Sequence, residues 1–291
     1  IDELGKVSGF RFSDDYELAF PNVSTAEKAL SKIESILSDF ELELNSRKTF
    51  IKKLPSSLED SWVRDLKLFE FRDNAEKNDI ISYFSHSFDY ANENPESSVL
   101  KYALSRLKNT KIRRDSWPLL QSLILECISS EPGTLPRVLD ILSDFANKGY
   151  PIMLDDLRGI LNSQIYDHAP LGHESEVAWS LWGSILFRIT LDENSSKLIS
   201  KMDDSVVALL ALDANERGLF ESPLDKSKWS DYMEEKCLYG PNWLLSYEAN
   251  IKKWILPNER DHVNGESRFG YLKRNRVQFY DTNKCDISSC I

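Results

Sequence analysis

From about Leu58 onward, nearly every apolar segment recurs at the three- and four-residue spacing of a helix face. That period excludes a sheet architecture for most of the chain. "DSWPLLQSLILECISS" offers Asp115 or Ser116 as a cap with Pro118 in the first turn, and "LPRVLDILSDFANKG" closes on Gly149, where a C′ glycine belongs. "ESEVAWSLWGSILFRI", "DSVVALLALDANERG" and "NWLLSYEANIKKWI" repeat the pattern between short polar loops. Helix pairs recurring at about 40 residues predict an α-solenoid of the HEAT type over residues 59–265. After it, residues 266–291 lose the helical period and read as an irregular, mobile tail, with Val277 to Tyr280 as a strand or extended segment.

Residues 1–58 follow a different rule. Phe10 to Ser13 and Tyr16 to Phe20 are apolar and aromatic around a short polar interruption, which is a hairpin pattern. "PNVSTAEKALSKIESILSDF" then predicts an amphipathic helix with Ser24 as cap, Glu27 three residues on, and an apolar stripe from Ala29 to Phe40. Leu42 and Leu44 alternate with polar neighbours in "LELN", so a third strand is expected before "KTFIKKLP". The predicted fold class is thus an α+β segment of hairpin, helix and strand followed by a mostly α-helical domain.

Composition narrows the function. With 41% hydrophobic and 29% charged residues in 291, the chain is a folded globular protein. Its longest apolar run, Val206 to Leu212, is far short of the ~18 residues of a membrane span, so no membrane partner is expected. The start, "IDELGKVSGF", carries no signal-peptide pattern and no initiator Met, which suggests a fragment. Cys127, Cys237, Cys285 and Cys290 lack metal-motif spacing and read as reduced thiols of a cytoplasmic protein. A net charge of -11 argues against a generally basic surface, yet "RKTFIKK", "LKRNR" and the "KIRR" ending at Arg114 leave room for a local groove.

Asp14 and Asp15 sit where the hairpin turns. Aspartate is a common turn residue, and two adjacent carboxylates are by themselves no more than that. They also repel unless a cation stands between them, and Mg²⁺ is the ion that takes carboxylate oxygens together with substrate phosphates. In nucleotidyl transfer by two metals, such ions activate the attacking hydroxyl and stabilise the leaving oxygen.

The order of motifs carries further information. "FRFSDDYELAF", the capped helix and "LELNSRKTFIKKLP" together resemble the last third of a reverse transcriptase palm. The resemblance implies that Asp14 is the principal Mg²⁺ ligand and Asp15 a less direct one. It also implies that Lys48 lies by the phosphates of the incoming dNTP, as an acid for the leaving pyrophosphate. Phe12 stands where the family most often has Tyr, which removes a hydroxyl, and Ser13 takes the variable position near primer or nucleotide. The family's other metal-binding aspartate and its fingers belong to earlier sequence, so this stretch is expected to be an inactive part of an RNA-directed DNA polymerase that uses Mg²⁺.

"HESEVAWSLW", "DDSVVALLALDANERGLFE" and "LYGPNWLLSYEANIKKWI" resemble the region after the palm in bacterial abortive-infection and defence-associated reverse transcriptases. That likeness implies DNA synthesis in antiviral defence, nucleic acid and dNTP as partners, and homo-oligomers in some members. His173, Glu174, Glu176, Trp179 and Trp182 are candidates for a groove, or else tryptophans that pack helices and carboxylates that complement a helix dipole. Trp243, Leu244, Tyr247, Ile251 and Trp254 share one helical face, the signature of core, and Glu248 can pair with Lys252 at i,i+4. The competing reading is a non-catalytic α-solenoid that binds protein or nucleic acid, its acidic hairpin only a turn.

Overall fold

The computed structural model describes residues 7–46, 48–57, 59–255 and 261–284. Within them the chain forms two compact units that divide between Ser61 and Trp62. Arg47, Cys285 and Cys290 lie outside the described residues.

In the first unit, strands β1 (Ser8–Phe12) and β2 (Asp15–Ala19) pair antiparallel, and helix α1 (Val23–Ser38) follows. Gly9 lies opposite Leu18, and a Cβ there would stand 2.3 Å from the Glu17 carbonyl oxygen, so only glycine fits this register. Asn22, not Ser24, caps α1: its Oδ1 accepts from the Thr25 amide at 2.9 Å. Asn caps at least as well as Ser, and a start at Val23 leaves Ser24 inside the first turn.

The third strand expected at Leu42 to Asn45 is not formed, and the sheet has two strands among the described residues. Alternating leucines are not enough, because a strand exists only where its amides and carbonyls find a ladder. Here the chain turns instead: the Asn45 carbonyl accepts from the amides of Lys48 and Thr49, each at 3.0 Å, and from the Thr49 hydroxyl at 2.9 Å. Of this unit's described residues only Ala29 is buried, while Phe10, Phe12, Tyr16, Phe40, Leu42 and Phe50 are exposed.

Helix α2 (Ser61–Leu68) opens at the division, and the second unit continues with helices throughout. They are α3 (Lys77–Glu93), α4 (Val99–Arg106), α5 (Trp117–Ser130), α6 (Leu135–Asn147), α7 (Leu154–His168), α8 (Glu174–Phe187), α9 (Glu193–Ile199), α10 (Ser205–Glu216), α11 (Ser227–Ser230), α12 (Trp243–Ile251) and α13 (Ser267–Arg274). Pro118 sits in the first turn of α5, and Gly149 takes a left-handed φ of +77° just past α6. Asp192 and Asp204 cap α9 and α10 through their side chains.

Packing follows two rows. Helix α3 lies on α5, α5 on α7 and α7 on α9, while α4 lies on α6, α6 on α8, α8 on α10 and α10 on α12. One continuous apolar core runs through both rows from Trp62 to Ile255. At Gly183 in α8 a Cβ would come within 3.1 Å of Leu139 in α6 and Leu161 in α7, so the bare backbone lets three helices close up. Two isolated parallel bridges, Ala75 with Ile112 and Leu191 with Phe220, tie loops together by backbone alone. No helix of the described residues is long and apolar enough to cross a membrane. Cys127 is buried in this core, and burial pushes its thiol up to about 12.

As far as Lys284, the tail is not irregular as expected, and residues 285–291 lie outside the described residues. Helix α13 packs Phe269 and Leu272 against a second small cluster of Leu238, Tyr247 and Val263. Beyond it, Val277 to Thr282 is neither strand nor loose end. Tyr247 donates its hydroxyl to the Val277 carbonyl at 2.9 Å, the Phe279 amide donates to Glu248 at 2.6 Å, and Tyr280 donates to Asp213 at 2.7 Å. Because this strap covers it, α12 buries Leu245 to Asn250 without interruption rather than along a single face, and Trp254 lies past its end.

The same region holds a titrating group. His262 Nε2 lies 3.2 Å from the Ser246 carbonyl and Nδ1 lies 3.4 Å from the Asn250 amide nitrogen, a pair of contacts that suits the neutral ring with its proton on Nε2. Burial pulls its pKa below the ordinary 6.5, with Lys273 adding to the fall, against opposing pulls from the Ser246 carbonyl and then Asp261. Since the folded value is depressed, the unfolded chain takes up the proton first, and stability present above pH 6.5 is lost as pH falls through the folded value. Thermal melts above and below pH 6.5 should show this fall, and His262→Gln should flatten it. An equal pH slope in the variant would refute the assignment.

Candidate functional site

The hairpin register pairs Phe12 with Asp15 and leaves Ser13 and Asp14 as a two-residue turn. Ser13 has a left-handed φ of +55°, the conformation a II′-type turn demands at its first position. Its carbonyl accepts from Arg11 Nε at 2.5 Å, and the same guanidinium lies 5.2 Å from the centre of the Tyr16 ring. These contacts fix the turn and leave Asp14 and Asp15 exposed at its tip. Phe12 is 78% exposed beside them. Lys48 is also exposed, in the Asn45 turn, and among the described residues no hydrogen bond or ion pair joins it to either aspartate. Nor is there a third His, Cys, Asp or Glu gathered about the pair among the described residues.

The basic stretches divide sharply. Arg113 is held by Glu76 and Asp115, each at 3.0 Å, and Arg114 donates to the Gly149 carbonyl at 2.9 Å, so the "KIRR" arginines are structural. Lys273 of "LKRNR" bonds Asn250 and Asp261. Lys48, Lys52 and Lys53 of "RKTFIKK" are exposed in the first unit, and in the second an open cleft of about 480 Å³ is lined by Lys108, Lys111 and Lys148 with Asn74, Thr110 and Tyr150.

At the α7–α8 junction the structure gathers residues that the sequence had only half suggested. His168 Nδ1 and His173 Nδ1 stand 2.9 Å apart, and a Glu176 oxygen lies within 4.8 Å of a ring nitrogen of each. His168 was not legible as a partner, although the spacing His-x4-His-x2-Glu across Gly172 is the signal for it. Glu174 is exposed and stands outside this group, Trp182 packs on the core, and Trp179 is 39% exposed rather than packed.

Compared with known proteins, the chain matches no family model, no curated protein and no solved structure.

Proposed function

We propose that residues 7–57 are the catalytic hairpin and helix of an RNA-directed DNA polymerase palm, in a cytoplasmic protein of bacterial antiviral defence. The observation that supports this most is two adjacent exposed carboxylates, Asp14 in the two-residue turn and Asp15 opening β2, followed by α1 and then by the Lys48 turn. Asp14 and Asp15 would hold Mg²⁺ against the phosphates of a dNTP, with Lys48 placing its ammonium by the leaving pyrophosphate. The ion would supply activation of the primer hydroxyl; the chain's own part is to present carboxylate oxygens from the hairpin turn and the strand residue next to it.

A two-metal centre needs a further carboxylate, which the described residues do not bring to the hairpin. The exposed apolar side chains of this unit fit the same reading, since a two-stranded hairpin with one helix is marginal until more sheet covers it. In this proposal the described residues alone do not complete a catalytic centre. The two rows of stacked helices are read as a HEAT-like solenoid that follows the palm.

A second reading, a non-catalytic module that binds a polyanion, is favoured by the three-lysine cleft in a chain of net charge -11. One experiment separates the two. In a polypeptide that joins this chain to the remainder of a polymerase palm, taken as the parent, Asp14→Ala with Asp15→Ala should abolish primer extension with Mg²⁺ and dNTPs while the melting temperature stays unchanged. Unchanged extension would reject the catalytic pair. Absence of extension in the parent, with salt-sensitive binding of an oligonucleotide, would establish the second reading instead.

A further inference from the structure

His168 ends α7, and Ala169–Leu171 continues as one 3-10 turn. Gly172 then adopts a left-handed φ of +70°, which reverses the chain without a Cβ penalty. The His173 amide donates to the His168 carbonyl at 3.1 Å and so sets the two histidines side by side before α8 begins. Their rings lie 5.2 Å apart between centres and 34° between planes, with the two Nδ1 atoms 2.9 Å apart. Glu176, in the first turn of α8, completes a group in which one ligand atom from each residue lies within 4.8 Å of the others.

The arrangement suits a cation. Two neutral imidazoles that face each other through Nδ1 are joined by one shared proton, and the carboxylate close by adds negative charge. With both rings in the Nε2–H tautomer, a divalent cation takes a lone pair from each Nδ1 together with the carboxylate. Ligand nitrogens held at about 2.0–2.1 Å on a tetrahedral zinc stand roughly 3.3 Å apart, so the rings need open by only about 0.4 Å. Two nitrogens and one oxygen select a zinc-class ion and not Mg²⁺ or Ca²⁺, which take oxygen ligands.

The platform is rigid. Helices α7 and α8 pack along each other, and Ile165, Ala169 and Val177, neighbours of the three ligands in sequence, are buried. His168 and Glu176 are half-buried while His173 is exposed, which leaves a coordination position open to water or to an exogenous group. We infer that His168, His173 and Glu176 form a binding site for a zinc-class divalent transition-metal ion at the α7–α8 junction. The site is independent of the hairpin and does not rest on the polymerase reading.

The test uses the untagged full chain, stripped of metal, with Zn²⁺ for calorimetry and Co²⁺ as a spectroscopic probe. One equivalent should bind, Co²⁺ should give the visible bands of a tetrahedral site, and the melting temperature should rise with Zn²⁺. His173→Ala removes an exposed side chain and should weaken binding at least about tenfold, as should Glu176→Gln, which keeps the shape of the side chain and removes its charge. Excess Mg²⁺ should not compete. Absence of Zn²⁺ binding, or binding that survives in the His168→Ala, His173→Ala double variant, would overturn the assignment.

Discussion

Trp117→Ala is expected to cost the helical unit about 3–5 kcal/mol. The indole is fully buried, stacks on Phe145 at 4.5 Å and 23°, and meets Tyr150 at 5.4 Å. Its Nε1–H donates to the Pro151 carbonyl at 2.6 Å, so truncation removes a ring from the core and also leaves a carbonyl without its donor. For a unit of this size each kcal/mol lowers the melting temperature by about 2–4 °C, which predicts a fall of roughly 6–20 °C. Trp117→Phe separates the two parts, since it keeps most of the packing and forfeits the hydrogen bond, worth about 1 kcal/mol. A scanning calorimetry shift for the alanine variant no larger than that of the phenylalanine variant would contradict the cavity argument.

Glu248→Ala is expected to be comparably damaging, for an electrostatic reason. As a helix pair on a surface, Glu248 and Lys252 would contribute only a few tenths of a kcal/mol. In the fold the glutamate side chain is 0% exposed and the lysine 9%, with Nζ and Oε2 2.9 Å apart as an ion pair rather than an aligned hydrogen bond. The other carboxylate oxygen accepts the Phe279 amide. Removing the anion leaves the Lys252 ammonium only the Gln278 side-chain oxygen, at 3.3 Å, and strands a backbone N–H, a loss toward the lower end of about 3–5 kcal/mol. The aromatic rings of Trp254 and Tyr280, 5.7 and 5.9 Å from Nζ, offset part of that. Glu248→Leu combined with Lys252→Met should recover most of the loss in urea melts. A double variant as unstable as the single one would show that packing, and not the stranded charge, sets the effect.

Periodicity made the helices of the second unit legible, because an apolar stripe that repeats every three or four residues has one way to be buried. Punctuation at Pro118 and Gly149 was equally legible, since each acts through its own backbone. What escaped depends on partners distant in sequence. The strand at Leu42 needed a neighbouring edge, and the burial of Glu248 came from a strap some thirty residues later. Asn22 escaped for a local reason, two good caps standing two residues apart. At the candidate sites the acidic turn was readable as a motif, whereas His168 joins His173 only through the left-handed turn at Gly172.

The two parallel bridges bear on how this sequence can drift. Ala75 exchanges backbone bonds with Lys111 and Arg113, and Leu191 does so with Leu219 and Glu221, at 2.9–3.2 Å. Main-chain atoms make every one of these ties. Substitution in the loops therefore leaves the knots in place, and distant copies of this fold can share the loop paths while sharing few of the letters that spell them.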